Sequence, residues 1–326
     1  MYAVAPAPSS AVGLLGRHFL KISDFSPKEL GSVLRLARFL KERPSVGQSS
    51  LRGRTVALLF EKPSLRTRVS FEVAIGRLGG EPLFAHGSEF MVGSRESPED
   101  AARVLSRYVD AVVVRTHSHG PLERFAEAAG VPVINGLSAE AHPCQALADM
   151  LTIGERFGTV AGLRIAYLGD ASNNVAASLA EAAVILGATV HFGSPRSHRP
   201  AESFLTHLSH LGRLSGAGVR AFSNPSRAVR AADVVYTDTW TSMGEECYRE
   251  RNDALLRPYA VTTALMSCAA PHAMFMHCLP AHRGEEVSAE VIDGPQSAVF
   301  DQAENRLHAQ KALLVALLTE CKGITL

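Results

Sequence analysis

Four groups of polar residues carry side chains that can do chemistry, and each follows a short apolar run. Glu61-Lys62-Pro63-Ser64-Leu65-Arg66-Thr67-Arg68 places two hydroxyls and two guanidinium groups at the start of a helical stretch. Unpaired backbone N–H groups, the helix dipole and forked arginines together bind a phosphate dianion. A solvated basic helix start is the plainer alternative. Arg115 leaves the apolar run Asp110–Arg115, where an arginine needs an anion or a carboxylate. His142 and Gln145, three residues apart at a helix start, can aim hydrogen-bond donors the same way. A histidine in that position can equally serve as a cap.

The third group, Asp170-Ala171-Ser172-Asn173-Asn174-Val175, also opens a helix after a strand. A dinucleotide site would need glycines beyond Gly169, and Ser172 and Val175 or their neighbours fill those places. These polar side chains fit a substrate carboxylate instead, or simple N-capping by asparagine. The fourth group pairs Asp238-Thr239-Trp240-Thr241-Ser242-Met243-Gly244 with His277-Cys278-Leu279-Pro280. An acid, a hydroxyl and a thiol at two strand ends can face one reaction, whereas a lone cysteine in an apolar setting is inert core.

The elements that position these groups alternate along the chain. Ser26-Pro27-Lys28-Glu29 reads as a helix start, with Leu30, Val33, Leu34 and Ala37 on one face. Strands are expected at Thr55–Phe60, Asp110–Arg115, Val131–Asn135, Leu163–Gly169, Thr189–Gly193, Asp233–Thr237 and Ala273–His277. Helices are expected up to Gly79-Gly80, from Ser97-Pro98, and over Pro121–Ala129, His142–Phe157, Asn174–Leu186 and Glu304–Thr319. Such alternation implies an α/β protein with two doubly wound parallel-sheet domains, which we expect to be joined by long helices, with the C-terminal helix packing back on the first domain. In such sheets ligands bind beyond the carboxyl ends of the strands, where all four groups lie.

Bulk properties narrow the class. A chain of 326 residues, 46% of them hydrophobic, suits two domains with full cores. Lys plus Arg total 33 against 32 Asp plus Glu, so the basic excess of a nucleic-acid binder is missing. No apolar run approaches the ~18 residues that span a bilayer, which points to a soluble protein without membrane contact. The five cysteines are odd in number and scattered without a C-x-x-C pair, so a cytoplasmic location is expected rather than a disulfide framework or zinc ribbon. Residues 1–16 are rich in Ala, Pro and Ser, carry no charge until Arg17, and read as a flexible tail.

Taken in order, these motifs resemble the ornithine carbamoyltransferases from about Arg17 to the C-terminus. Ser64-Leu65-Arg66-Thr67-Arg68 is similar to the family's phosphate motif Ser-Thr-Arg-Thr-Arg, and His142-Pro143-Cys144-Gln145 to its His-Pro-x-Gln. Asp238 to Gly244 is similar to its ornithine loop, His277 to Pro280 to its His-Cys-Leu-Pro, and Glu304-Asn305-Arg306 to its closing arginine motif. The related aspartate carbamoyltransferases lack the Ser-Met-Gly and His-Cys-Leu-Pro pair.

The resemblance implies a carbamoyl-phosphate-binding domain over 17–148, an ornithine-binding domain over 149–302, and a C-terminal helix, 303–326, returning to the first. It implies that Ser64, the backbone N–H of Leu65, Arg66, Thr67, Arg115, His142, Gln145, Cys278, Leu279 and Arg306 bind carbamoyl phosphate. Asn174, Asp238, Ser242 and Met243 would bind L-ornithine, and Cys278, Asp238, Arg115 and His142 would be catalytic. It further implies a homotrimer, with a loop lent by a neighbour and with neither metal nor organic cofactor. Two departures stand out: Leu65 replaces the usual Thr, and Met91, in the loop Glu89–Glu96, stands where several family members carry a polar Gln or His.

The implied reaction is attack of a neutral amine on the carbamoyl carbon, with phosphate leaving. Rival acceptors on the same fold are aspartate, putrescine or an acylated ornithine. An anionic acceptor would want extra basic residues, whereas this loop carries Asp238, Glu245 and Glu246. A non-catalytic paralogue would lose a phosphate arginine or Cys278, and both are present. Of the other cysteines, Cys144 is expected to compete with Cys278 for a thiol reagent, because it sits between His142 and Gln145.

Overall fold

The computed structural model describes residues 13–86, 96–241 and 246–320. The chain forms two compact units, one comprising the residues up to Leu147 with those from Arg306 on, the other Ala148–Asn305.

In the first unit, α1 (Pro27–Glu42) is followed by β1 (Thr55–Phe60), α2 (Leu65–Arg77), β2 (Glu81–His86), α3 (Pro98–Leu105), β3 (Ala111–Arg115), α4 (His119–Ala128), β4 (Val133–Leu137) and the start of α5 (Pro143–Phe157). Ser26 caps α1 in a reciprocal box, its hydroxyl accepting from Glu29 N while Glu29 Oε2 accepts from Ser26 N at 2.8 Å. Leu36 and Leu40, rather than Leu34, complete its buried face with Leu30, Val33 and Ala37. Each buried leucine contributes roughly 1.5–3 kcal/mol.

The sheet is parallel with order β2-β1-β3-β4. The chain therefore turns to opposite sides after β1, which makes the carboxyl ends of β1 and β3 the switch point where such sheets take ligands. Between β3 and β4 the register shifts after Val114, so that Arg115 pairs with Leu137. Gly136 sits in this irregularity, and a Cβ there would meet Val113 Cγ1 and the Val114 carbonyl at 3.3 Å. The open side of β4 is covered by Phe19, whose backbone bonds to Val133 and Asn135. Of the flexible tail expected over 1–16, residues 1–12 lie outside the described residues, and 13–16 depart from the expectation. Leu14 is buried, and Gly16 N donates to Leu317 O at 2.9 Å on the last helix.

The second unit contains β5 (Arg164–Leu168), α6 (Asn174–Ile185), β6 (Thr189–Gly193), α7 (Glu202–Leu211), β7 (Val219–Phe222), α8 (Pro225–Val229), β8 (Val234–Thr237), α9 (Arg249–Leu256), α10 (Thr263–Met266), β9 (Met274–His277), α11 (Ala289–Ile292) and the start of α12 (Val299–Leu318). Its sheet is parallel with order β7-β6-β5-β8-β9, so its switch point lies at the carboxyl ends of β5 and β8. α6 is buried along most of its length, and its alanines let it lie close to the sheet. Both parallel sheets carry helices, as the alternation of elements requires. The final helix belongs to the first unit from Arg306 on. No helix among the described residues is long and apolar enough to cross a membrane.

Candidate active site

β1 ends at Phe60, and Glu61 ties its loop to the end of β3: Glu61 N donates to Arg115 O at 2.8 Å, and Glu61 Oε2 accepts from Thr116 Oγ1 and His117 N. Ser64 then caps α2, its hydroxyl oxygen accepting from Thr67 N at 3.3 Å. Leu65 and Arg66 stand exposed at the helix start, while Thr67 is fully buried. From α12, Arg306 reaches back with Nη2 donating to Thr67 Oγ1 at 2.7 Å and Nη1 to Gln145 Oε1 at 3.1 Å.

Arg115, His142, Gln145 and Arg306 are all buried. His142 lies in the field of Arg306, Arg115 and Arg66; burial first, then these cations, hold its pKa well below the usual histidine value. The imidazole is therefore neutral at physiological pH. A convergence of three guanidinium groups on one neutral imidazole can hold a phosphorylated anion and donate to a second oxygen of it. Arg68 belongs elsewhere: it pairs with Glu72 at 2.9 Å and lies 3.9 Å above the Phe84 ring.

In the second unit, Thr237 and His277 are paired at the ends of β8 and β9, so the next residues of each strand emerge side by side. Cys278 Sγ donates to Asp238 Oδ1 at 2.9 Å, and the same oxygen accepts from Thr239 N at 2.8 Å. Leu279 adopts a left-handed backbone (φ +58°) and its N–H donates to His277 Nδ1 at 2.8 Å. That bond places the imidazole proton on Nε2, which faces the buried Glu286 Oε1 at 3.3 Å. Asp238, His277 and Cys278 each bring one potential metal-binding atom within 4.8 Å of the others. Within the trio, the Cys278 thiol is hydrogen-bonded to Asp238, and His277 Nδ1 is taken by the Leu279 amide.

At the end of β5, Gly169 takes φ +106°, a turn that a side chain would strain. Asn173, not Asn174, is the cap of α6, accepting from Ala176 N at 2.8 Å and donating from Nδ2 to Tyr167 Oη. Asn174 is thereby left half-buried as the first helical residue. Ser242 and Met243, like Met91 of the expected neighbour loop, lie outside the described residues.

Residues behind the site were not singled out from sequence. Tyr167 and Tyr236 stack at 5.7 Å. Burial, with Asp238 and Asp170 nearby, pushes the Tyr167 phenol well above its usual pKa. Tyr236 Oη contacts both oxygens of the buried Asp149, and Gln302 Nε2 donates to Asp149 Oδ1 at 2.7 Å while its Oε1 accepts from His277 N at 2.9 Å. A tyrosine in an otherwise aliphatic strand was the available signal. The cysteine expectation also needs correction. Cys144 is buried, and loss of water around its thiol pushes the pKa to about 12, whereas Cys247 and Cys268 are exposed.

Comparison with known proteins adds relatives of the same architecture. Residues 17–155 match the aspartate/ornithine carbamoyltransferase carbamoyl-P binding domain, and residues 161–317 match the Asp/Orn binding domain of the same family. The ornithine carbamoyltransferase of Symbiobacterium thermophilum is 48% identical over 307 residues, covering 94% of this chain and 99% of that protein. The anabolic ornithine carbamoyltransferase of Pyrococcus furiosus is 47% identical, covering 94% of this chain and 98% of that protein. A solved structure of ornithine carbamoyltransferase from Pyrococcus furiosus superposes with a TM-score of 0.91 at 47% identity, over 94% of this chain and 98% of that one. One from Thermus thermophilus gives 0.83 at 41% identity, over 92% and 98%.

Proposed function

We propose that this chain, which belongs to the aspartate/ornithine carbamoyltransferase family and is a carbamoyltransferase, moves the carbamoyl group of carbamoyl phosphate to the side-chain amine of L-ornithine. The products are L-citrulline and phosphate. The choice of acceptor is carried by one observation, the Asp238 carboxylate hydrogen-bonded to Cys278, which suits a cationic amine and repels an anionic one. Assays of the purified enzyme with carbamoyl phosphate and ornithine, putrescine, acylated ornithine or aspartate test it. Turnover with aspartate but not ornithine overturns the reading.

In this reading 17–148 is the carbamoyl-phosphate domain, 149–302 the ornithine domain, and 303–326 the returning C-terminal segment that brings Arg306. Arg66, Arg306, Thr67, Ser64 and the Leu65 amide hold the phosphate, stabilising its growing charge as it leaves. Arg115, His142 and Gln145 surround the carbamoyl oxygen and polarise it, with Cys278 and Leu279 completing the set. His142 suits this role because a neutral imidazole donates a hydrogen bond without adding a fourth positive charge. Asn174, Asp238, Ser242 and Met243 take ornithine.

The nucleophile sets the barrier. A lysine-like amine has a pKa near ~10.4, so about one molecule in a thousand is neutral at pH 7.4, a deficit of about 4 kcal/mol. Stripping water from the ammonium lowers its pKa, and Asp238 with Cys278 orients the amine and receives its proton, directly or by relay. The neutral amine then attacks the carbamoyl carbon, the C–O bond to phosphate breaks, and the proton shed by the attacking nitrogen leaves on the phosphate. We further propose a cytoplasmic homotrimer that needs no cofactor, on the strength of the family resemblance.

A further inference from the structure

The second unit has an open polar pocket at the amino-terminal ends of β5, β6 and β7, opposite the strand ends that carry Asp238 and Cys278. It has a volume of about 520 Å³, opens to solvent, and is lined by Arg164, Thr189, His191, Arg220, Arg227 and Arg230, with small loop residues between them and no carboxylate. Its size falls within the roughly 300–1,000 Å³ of small-molecule sites.

Four arginines line it, with no carboxylate among the lining residues, and the Arg227 guanidinium lies 5.9 Å over the Phe222 ring. Arg164 is fixed in place, its Nη1 donating to the carbonyls of Arg230 at 3.0 Å and Ala231 at 3.3 Å. Asp233, which precedes β8, is already engaged by Arg164 N at 2.8 Å and by His272 Nε2 at 2.8 Å. The buried His191 donates from Nδ1 to Ala228 O at 3.1 Å. Burial lowers its pKa, the bond to Ala228 O raises it, and the nearby Arg164 and Arg220 cations lower it.

Arginines gathered around one pocket favour an anion among them, and forked guanidinium groups match the oxygens of phosphoryl groups. A single phosphate neutralises only part of this charge and fills only part of the volume. We propose that this cavity binds a small anion carrying two or more linked phosphoryl groups, such as inorganic triphosphate or a nucleoside triphosphate. The site is separate from the carbamoyl-transfer residues and does not depend on the acceptor they use.

Calorimetric titration of the full-length protein with inorganic triphosphate, at low ionic strength, tests the proposal. Arg220→Ser/Arg227→Ser, at exposed positions, should weaken binding at least ten- to a hundredfold, the loss expected for charge-assisted bonds. Arg66→Ala should leave that binding within threefold, because Arg66 is not among the residues that line the pocket. A parallel titration with ATP identifies the source: equal affinity assigns the phosphoryl chain alone, tighter binding adds the nucleoside. Absence of triphosphate binding, binding lost in Arg66→Ala but kept in the double variant, or inorganic phosphate binding as tightly as triphosphate overturns it.

Discussion

The thiol of Cys278 and the carboxylate of Asp238 are joined at 2.9 Å across the ends of two adjacent parallel strands. Residues forty positions apart meet because β8 and β9 pair in register and both chains leave the sheet at the same level. The loop behind Cys278 is held in turn, since Leu279 N bonds to His277 and His277 N to Gln302. A reactive group so supported keeps its position without help from substrate.

Asp238→Asn should separate charge from hydrogen bonding. The amide oxygen can still accept from Cys278 and Thr239, but the attraction for an ammonium is gone. Apparent ornithine affinity should fall about ten- to a hundredfold, the cost of a lost charge-assisted bond, while carbamoyl phosphate affinity stays within threefold. Calorimetry with each substrate checks this. Equal loss of both would mean that Asp238 only supports the fold.

Thr67 and Arg306 should behave as one unit in binding carbamoyl phosphate. Arg306→Ala removes a buried cation and should weaken binding about ten- to a hundredfold. Thr67→Val deprives Arg306 Nη2 of its 2.7 Å acceptor, and should also cost about 1–3 kcal/mol of stability. In the double variant the affinity losses should fall short of additivity by about 0.5–3 kcal/mol. Strict additivity would show that the two contact the anion independently.

Much of this arrangement was legible in the sequence. β1 and β6 fall where the apolar runs end, and the four polar groups all lie at strand ends, because strand periodicity and switch-point topology are local signals. β2 and β7 were not. Glu81–His86 begins with Glu-Pro and Val219–Phe222 contains Arg220, so neither reads as an apolar run; both are outer strands of their sheets, where polar residues are tolerated. Short helices such as α8 and α11 are held by tertiary packing, which periodicity cannot register. At the candidate site, residue types were legible but partners were not. Nothing in the sequence shows that Arg68 turns to Phe84 while Arg66 remains at the cluster, or that Asn173 takes the cap and leaves Asn174.

His142 predicts a pH dependence of stability. Its folded-state pKa lies well below 6.5, so the unfolded chain binds a proton that the folded one refuses. Its contribution is complete above about pH 6.5 and is lost as pH falls toward the folded pKa, with a slope approaching about 1.4 kcal/mol per pH unit. His18, His119 and His191 are shifted the same way and add to the wild-type slope. Replacing His142 with Asn should therefore reduce, not abolish, the loss of denaturant resistance between pH 7 and pH 5. An unchanged slope in urea unfolding would show that His142 is solvated or already charged.

Cys278 is the residue at which the catalytic and the purely structural readings differ most. Cys278→Ser keeps size and hydrogen bonding to Asp238 but is far less acidic, so a proton relay should suffer more than simple orientation. Turnover should fall by about a hundredfold, within the range for general acid–base catalysis, with carbamoyl phosphate affinity little changed. Thiol labelling supplies the second measurement. Cys144 will not interfere, because it is buried and its thiol has a pKa of about 12. The exposed Cys247 and Cys268 will, so they, together with Cys321, should first be replaced by Ala. In that background a thiol reagent should modify Cys278 and abolish activity, and carbamoyl phosphate with an ornithine analogue should slow both in parallel. Full activity in Cys278→Ser, with inactivation by the reagent retained, would assign the sensitive thiol elsewhere and leave Cys278 as packing beneath Asp238.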